Sequence, residues 1–316
     1  MADQQKKKPL VLKQKVMLQV VYALIPLAAA SIYFFGWRSL VILAVVNCAG
    51  FLTEFIMVRR AGQQVSSAVF VTNFIYALSL PPTVPLWIAV VGIVFGVLFG
   101  KMVFGGFGRN IFNPALAGRA FVYISFGLPL TGRWAEPVQG IAGGFAAWQA
   151  DVVTKATPLV KLASGESVSR ISLFLGNVSG SLGETSALLI LVLGIILMIQ
   201  KAASFRIVLG GAAGFLVMQI IFFFIGAGKI FDPLSSVLAG SFLFGLMFCI
   251  TDPISASQTT NQGRWIYGSI FGVLCSLIRV FSSWPAAVTF AVLFANTFAP
   301  LLDHLMKQAK KKRKTA

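Results

Sequence analysis

Two long apolar stretches near the start of the chain decide its fold class: MLQVVYALIPLAAASIYFF at residues 17–35 and SLVILAVVNCAGFLTEFIMV at residues 39–58. Each is about as long as a helix that crosses the hydrocarbon core of a membrane, which takes about 20 residues. Hydrophobic residues make up 57% of the 316 positions and charged residues only 11%, and the mean hydropathy is +0.86. So few charges cannot cover such an apolar chain in water, so lipid must be the solvent for much of its surface.

Apolar runs recur along the whole chain. They lie near residues 17–35, 39–58, 66–80, 84–103, 113–126, 185–200, 206–226, 234–251, 265–281 and 285–302. The runs at 66–80 and 113–126 are short for a full crossing, so they are half-helices or extend into the flanking polar sequence. The sequence therefore predicts an all-α membrane protein with about ten transmembrane helices and a polar stretch between the fifth and the sixth.

The two halves of the chain resemble each other in sequence. Pro82 and Pro114 are separated by 32 residues, as are Pro253 and Pro285. The string AGFL occurs at 49–52 and 213–216, and FGVL at 95–98 and 271–274. These matches follow the same order in both halves and predict two repeats of five helices. Because five is odd, the second repeat would be inverted, an arrangement common in transporters.

Ten spans place both termini on one side of the membrane, and the basic residues indicate which side. With cytoplasmic termini, Arg119 lies within a span, and the outer side holds seven basic residues: Arg38, Arg133, Lys155, Lys161, Arg170, Lys229 and Arg279. All other Lys and Arg residues lie inside, in agreement with the positive-inside rule. The predicted organisation is a cytoplasmic N-terminus (1–16), a first repeat (17–126), an extracytoplasmic loop (127–183), a second repeat (184–304) and a cytoplasmic basic tail (305–316).

The formal net charge of +17 does not indicate a nucleic-acid-binding protein, because the basic residues cluster at the termini and in short gaps between apolar runs. This distribution suits contacts with anionic lipid headgroups. The one histidine, His304, lies beside the basic tail, and Cys48, Cys249 and Cys275 lack CxxC spacing. We therefore predict no metal site, no catalytic residue and buried, unpaired cysteines.

Ionisable residues in or beside the spans are candidates for an ion pathway. Glu54 lies near the cytoplasmic end of the second span, Asp252 follows the eighth, and Arg119 lies in the fifth. The Asp252–Pro253 pair is equally typical of a helix cap. Arg119 is as well suited to pairing with backbone carbonyls or a neighbouring helix as to binding a ligand.

Breaks in the predicted helices provide further candidates. The glycine-rich stretch FGGFGRNIFNPALAGRAF (104–121) includes Gly105 and Gly106, where the backbone can approach another group closely. No strand precedes this stretch, which excludes a Rossmann dinucleotide site. It is either a tight re-entrant turn or a constriction for a cofactor or ion. The repeated proline ends of the third and eighth spans, at Pro82 and Pro253, suggest the hypothesis of a bistable gate near the broken helices.

Three segments of the sequence resemble one protein family. They are LPPTVPLW followed by GKMVFGGFGRNIFNPALAGRAF within residues 80–121, DVVTKATPL at 151–159, and TDPISAS through LIRV to LFANTFAPLLDH within 251–304. They resemble the B subunit of the sodium-translocating NADH:quinone oxidoreductase (Nqr) and its homologue, the D subunit of the Rnf complex. The resemblance covers most of the membrane region.

The resemblance implies a cofactor and its attachment site. In this family the pattern Asp-x-x-(Ser/Thr)-x-Ala-Thr is where a flavin transferase attaches FMN, through a phosphoester to the final threonine, which would be Thr157 here. Asp151, Thr154 and Ala156 would be recognition elements, and Arg119 is a further candidate for cofactor binding. We expect Thr157 to offer a free hydroxyl on an accessible loop. The resemblance also allows a second flavin, riboflavin.

We therefore predict a subunit of an ion-translocating redox complex in the bacterial inner membrane, which passes electrons through covalent FMN and is coupled to Na⁺ or H⁺ movement. Its partners would be the other subunits of an Nqr or Rnf complex, the flavin transferase and membrane lipid. Two alternatives stay open. The inverted repeat equally suits a flavin-free solute channel or secondary transporter, and the chain could be a structural membrane anchor for other redox subunits.

Overall fold

A computed structural model describes residues 10–60, 62–153, 157–226, 232–257, 260–282 and 287–315. These residues are mainly helical, which confirms the predicted all-α class. The first repeat contains, in chain order, β1 (Val11–Leu12), α1 (Lys15–Phe35), α2 (Arg38–Arg60), β2 (Val65–Ser66), α3 (Ala68–Leu78), α4 (Leu86–Val97), a π-helix (Leu98–Met102) and α5 (Pro114–Ser125). β1 and β2 pair in parallel, with Val11 opposite Val65.

The loop between the repeats has its own short elements. They are α6 (Gly127–Thr131), β3 (Trp134–Ala135), a 3₁₀ turn (Gly143–Ala146), β4 (Val152–Val153), α7 (Pro158–Ala163) and α8 (Arg170–Leu175). β3 and β4 pair antiparallel, with Trp134 opposite Val153. The loop therefore has secondary structure of its own.

The second repeat contains α9 (Ala187–Ile199), α10 (Phe205–Ile225), α11 (Pro233–Leu238), α12 (Phe242–Phe244), a second π-helix (Gly245–Cys249), α13 (Asn261–Phe281) and α14 (Ala287–Thr315). Every predicted span is thus at least partly helical. α14 continues from the tenth span into the basic tail, so the tail is not a separate element.

Five helices are long and apolar enough to cross a membrane: α1, α2, α10, α13 and α14. Three further apolar helices, at Ala68–Leu78, Leu86–Met102 and Ala187–Ile199, are shorter. α3, with 11 residues, is about 16 Å long at 1.5 Å per residue. It therefore reaches only about halfway across the hydrocarbon core, and the half-helix prediction for this run is confirmed.

Helix contacts follow the predicted repeat. α4 packs against α2 and α5 in the first half, and α13 packs against α10 and α14 in the second. α1 also contacts α9, and α14 contacts α5, so the two halves share one hydrophobic core. The whole chain therefore forms a single packed unit over the described residues, with the sites below at the junction of its halves.

The repeated sequence strings mark places where helices approach closely. A Cβ added to Gly96, in the first FGVL, would lie 2.4 Å from the carbonyl oxygen of Pro114 on α5. On Gly272, in the second FGVL, it would lie 2.1 Å from the carbonyl oxygen of Gly211 on α10. Both glycines are needed for close packing, although the first packs against the helix that follows it and the second against an earlier one.

One cysteine is not where the sequence predicts it. Cys249 and Cys275 are buried, whereas Cys48 is exposed, and all three thiols are free. Cys48 lies on the same face of α2 as Ala44, Leu52 and Ile56, which are spaced at intervals of four residues and are also exposed. An apolar run does not reveal which face of its helix meets lipid.

Candidate functional site

Two cavities lie at opposite ends of the short helices α3 and α5. One is lined by Ser79 after the end of α3, by Arg119 in α5 and by Thr157, and we name it the Thr157 cavity. The other is lined by Ala68 and Thr72 at the start of α3 and by Lys101, and we name it the Lys101 cavity. Residues from both repeats line each cavity, so both lie at the junction of the two halves.

Thr157 precedes α7 and lies in the wall of the first cavity, whose volume is about 60 Å³. Its side chain is 8% exposed. The Oγ1 atom is buried and has no hydrogen-bond partner in the described part of the chain. Thr157 occupies the N-cap position of α7, but its side chain makes no capping bond there. An unpartnered hydroxyl of this kind is unusual in a protein interior.

The expectation of an accessible, loop-exposed hydroxyl at Thr157 is therefore wrong. The reason lies two residues further on, where Leu159 packs into a buried cluster with Leu173, Ala239 and Val280. Burial of these apolar side chains holds the start of α7 against the second repeat. The hydroxyl consequently faces a cavity instead of open solvent.

Arg119 forms a buried ion pair with Glu184. The Nη1 atom of Arg119 donates to Oε1 of Glu184 at 2.7 Å, and the two side chains are 9% and 6% exposed. The ion pair agrees with the interpretation in which Arg119 pairs with a neighbouring part of the chain, because its partner is a carboxylate just before α9. Glu184 was not a candidate in the sequence, where it lies at the edge of the polar stretch, 65 residues from Arg119.

A polar depression adjoins the Thr157 cavity. Its volume is about 330 Å³, and it shares Pro158, Val178 and Ser179 with that cavity. Hydroxyl groups and Lys161 line much of it. The buried hydroxyl of Thr157 and this larger, more open space thus lie side by side.

Lys101 pairs with Glu54 beside the second cavity. Its Nζ atom donates to Oε2 of Glu54 at 2.5 Å, and the two side chains are 2% and 1% exposed. Oε1 of Glu54 also accepts the backbone N–H of Ser66 at 3.0 Å. Both oxygens of Glu54 are therefore already engaged, one by an ammonium group and one by an amide.

Asp252 lines the Lys101 cavity, together with Pro253. Its carboxylate also accepts the hydroxyl of Ser255 at 2.6 Å and the backbone N–H groups of Ile254 and Ser255 at 3.4 and 3.3 Å. The carboxylate thus caps the turn that follows the second π-helix, as the capping interpretation expects. Asp252 and Lys101 line the same cavity, so Asp252 is still a candidate for an ion pathway.

Asn113 lines the Lys101 cavity and joins the two repeats. Its side-chain oxygen caps α5 by accepting the N–H of Ala115, and its Nδ2 donates to the carbonyl of Cys249 at the end of the second π-helix. Its backbone N–H donates to Oδ1 of Asn296 on α14 at 3.0 Å, and Asn296 in turn donates to the hydroxyl of Tyr267. The Asn-Pro dipeptide was the available signal for this cap, but the role of Asn113 was not predicted.

The remaining predicted residues are more dispersed. The carbonyl of Pro82 accepts a hydrogen bond from Arg38. Pro82 lines neither cavity, although the preceding residue, Pro81, lines the Thr157 cavity. Gly105 and Gly106 have φ angles of +102° and +91° and form a tight turn that ends the first π-helix, where the N–H of Gly106 donates to the carbonyl of Lys101. The glycine-rich stretch therefore begins with a tight turn. Asp151 is exposed, and Thr154 and Ala156 lie outside the described residues.

Asp232, which lies outside the helices that cross the membrane, has a shifted pKa. Partial burial raises the pKa of Asp232, but hydrogen bonds from Ser235 and the nearby charge of Arg170 outweigh this and hold it below its usual value. Asp232 caps α11, and Arg170 Nη2 donates to it at 3.0 Å from α8. This contact joins the loop to the second repeat on the side of the Thr157 cavity.

Comparison with known proteins points to one family. The profile of the NQR2, RnfD, RnfE family matches residues 9–312. The B subunit of the Na⁺-translocating NADH-quinone reductase of Klebsiella pneumoniae (strain 342) is 41% identical over 308 residues, which covers 88% of this chain and 71% of that protein. The same-named proteins of Yersinia pestis and Ectopseudomonas mendocina (strain ymp) are both 39% identical, covering 89% and 86% of this chain and 71% and 68% of theirs.

Proposed function

The chain belongs to the NQR2, RnfD, RnfE family, and from this premise we propose that it is a membrane subunit of an ion-translocating oxidoreductase complex of the Nqr or Rnf type. We also propose that Thr157 carries FMN through a phosphoester bond. The relatives are named as B subunits of Na⁺-translocating NADH-quinone reductases, which supports a role among other subunits. The proposed location is the bacterial inner membrane, with both termini in the cytoplasm.

The observation that carries the FMN proposal is the unpartnered hydroxyl of Thr157. A buried hydroxyl without a partner costs about 1–3 kcal/mol, so a protein does not usually keep one without a reason. Attachment replaces the hydroxyl hydrogen with a phosphoryl group, so that no buried donor is left unsatisfied. The residues present therefore fit the cofactor at this point.

Neighbouring residues have separate roles in this proposal. Arg119 lines the same cavity and contributes a positive charge that favours a phosphoryl group, while Glu184 balances that charge in its absence. Lys161 and the serines of the adjoining depression provide a polar, more open space beside it. When bound, FMN would accept electrons and pass them on, while the protein provides placement and electrostatic tuning.

The first test is in-gel flavin fluorescence of the full chain, purified and denatured after co-expression with its flavin transferase. We expect a fluorescent band for the parent and none for Thr157→Ala. Ser164→Ala is the matched control, because it removes an exposed hydroxyl from the same loop and should keep the fluorescence. A parent chain without fluorescence, despite an active transferase, would favour the flavin-free transporter.

The proposed coupling ion, Na⁺ or H⁺, would use the two cavities. Moving one charge across the membrane costs about 2.3 kcal/mol per 100 mV, which electron transfer can supply. Asp252 is the stronger candidate for a cation ligand, because it lines the Lys101 cavity, whereas the charge of Glu54 is already balanced by Lys101. The gate hypothesis, with Pro82, Asp252 and Glu54, predicts that changing them uncouples pumping from electron flow, and tight coupling in all three variants would contradict it.

The two cavities also favour a second function. Cavities at opposite ends of the same short helices are what an alternating-access transporter requires, with or without a flavin. A solute transporter predicts that Thr157→Ala leaves transport unchanged. The flavin test above therefore separates the two functions.

A further inference from the structure

One segment of the extracytoplasmic loop differs from the rest in chemistry. Residues 137–150, PVQGIAGGFAAWQA, contain no charged side chain and are flanked by Glu136 and Asp151. We name them the 137–150 segment. Its apolar and aromatic content is at odds with the polar character predicted for the loop as a whole.

The 137–150 segment is bound to the turn between α1 and α2. Four backbone hydrogen bonds hold it there, at 2.7–3.2 Å: Val138 N–H to Phe34 O, Trp37 N–H to Ala147 O, Arg38 N–H to Trp148 O, and Ala150 N–H to Phe35 O. The indole N–H of Trp37 adds a fifth, to the carbonyl of Phe145. The position of the segment is therefore fixed by the ends of two membrane helices.

Two glycines let the segment lie flat on this turn. A Cβ on Gly144 would lie 2.1 Å from the carbonyl oxygen of Ile32, and a Cβ on Gly143 would lie 2.7 Å from that of Tyr33. Gly143 also has a φ of +51°, which residues other than glycine rarely adopt. Any larger residue would lift the segment away from α1.

The large side chains of the segment are exposed. Ile141 is 101% exposed, Trp148 62% and Phe145 50%, and Trp37 beside them is 42% exposed. α1 has 21 residues and is about 30 Å long, which matches the hydrocarbon thickness of a bilayer. The turn that follows α1 therefore lies at the boundary between acyl chains and headgroups.

We propose that the 137–150 segment is an interfacial segment, which inserts Ile141, Phe145 and Trp148 among the phospholipids of the outer leaflet. Tryptophan is enriched at this depth. Tyr33 at the end of α1 and Leu40 at the start of α2, next to the segment, are exposed apolar residues as well. An uncharged apolar surface at the ends of two helices that are long enough to cross a membrane fits lipid as its occupant.

This placement has a structural consequence for the loop. The segment leads directly from β3 into β4, and Thr157 follows β4 by four residues. An anchor at 137–150 therefore sets the height of the Thr157 cavity relative to the membrane surface. The inference does not depend on whether Thr157 carries a flavin.

The test measures the membrane depth of this surface in the full chain. An environment-sensitive fluorophore is attached at Ile141→Cys in a Cys48→Ser background, where Cys249 and Cys275 are buried. Ser164→Cys, an exposed position on the same loop, is the control. The protein is reconstituted into phosphatidylcholine–phosphatidylglycerol vesicles that contain lipids with a nitroxide near the headgroup or deep in the acyl chain.

We expect the shallow nitroxide to quench the label at 141 several-fold more strongly than the label at 164, and more strongly than the deep nitroxide does. Equal quenching at both positions would overturn the proposal. Quenching at 141 that disappears in the assembled complex would also overturn it, because a partner subunit would then cover the surface. The tryptophan fluorescence of the unlabelled protein provides a check that needs no cysteine. Its quenching by the nitroxide lipids should be weaker in Trp148→Phe than in the parent, and unchanged quenching would count against the proposal.

Discussion

Two buried ion pairs, Glu54–Lys101 and Arg119–Glu184, place charges next to the candidate sites. Removing one partner of a buried pair leaves an uncompensated charge and costs about 3–5 kcal/mol. We therefore predict that Lys101→Met strongly lowers the thermal stability of the protein in detergent. Glu54→Gln combined with Lys101→Met should recover most of the loss, because neither charge then remains alone.

The exposed pair between Arg170 and Asp232 offers a matched control, since its side chains are 59% and 39% exposed. Arg170→Met should cost at most about 1 kcal/mol, as expected for surface pairs. If Lys101→Met were as stable as Arg170→Met, the buried pair would not hold the first repeat together. Melting curves of the four proteins, followed by light scattering, provide the comparison.

Single residues were predictable from the sequence when their chemistry was local. Arg119 and Glu54 could be identified directly, because each is a charged residue within an apolar run, where burial of a charge is energetically costly. The partner of each was not predictable, because Lys101 lies 47 residues from Glu54 and Glu184 lies 65 residues from Arg119. Likewise, the sequence around Thr157 did not predict that the packing of Leu159 would bury the hydroxyl of Thr157.

At the scale of helices, the contact between α10 and α13 depends on glycine. A Cβ on Gly268 would lie 2.2 Å from the carbonyl of Ile207, and one on Gly272 would lie 2.1 Å from that of Gly211. We predict that Gly272→Ala forces the two helices apart and destabilises the protein by about 1–3 kcal/mol, the usual cost of overpacking. The loss should appear as a lower melting temperature in detergent.

Gly127→Ala is the control for this prediction, because a Cβ at that position would meet no atom within 4 Å. Equal melting temperatures for Gly272→Ala and Gly127→Ala would show that α10 and α13 can separate without cost. In that case the repeated FGVL string would have no packing role in the second half.

The positions of the helices followed from the sequence more readily than their lengths did. Ten apolar runs predicted the helical segments, since each run must satisfy its backbone within the membrane. The break between α11 and α12 and the two π-helices were not predicted, because they depend on contacts with other helices. The second π-helix, for example, ends where Cys249 accepts a hydrogen bond from Asn113 in the first repeat.

At the scale of the whole molecule, the two halves meet through polar contacts near the cavities. Asn113 and Asn296 connect α5 to α14 and to the turn after the second π-helix. A buried polar network of this kind is costly unless its members are paired. Hydrogen bonds of Asn113 and Asn296 therefore join the halves at the ends of the short helices. A movement of one half relative to the other, as the gate hypothesis requires, would have to change these bonds.

The predicted inversion of the second half can be tested by the sidedness of two cysteines. In the Cys48→Ser background, Ser164→Cys should react with a membrane-impermeant maleimide in intact cells, once the outer membrane is opened. Gln308→Cys, exposed near the end of α14, should react only after the inner membrane is broken. The physical reason is the positive-inside rule, which predicts that the basic tail stays in the cytoplasm.

Opposite sidedness of positions 164 and 308 would require an odd number of membrane crossings between them. With a cytoplasmic N-terminus, the first half must then also cross an odd number of times, since position 164 lies outside. The second half, α9 to α14, then starts on the opposite side of the membrane from the first half, α1 to α5. Because the two halves share a helix order and each crosses an odd number of times, they are inverted relative to each other. If both cysteines reacted from the same side, the cavities at the two ends of α3 and α5 would not be related by an inverted repeat.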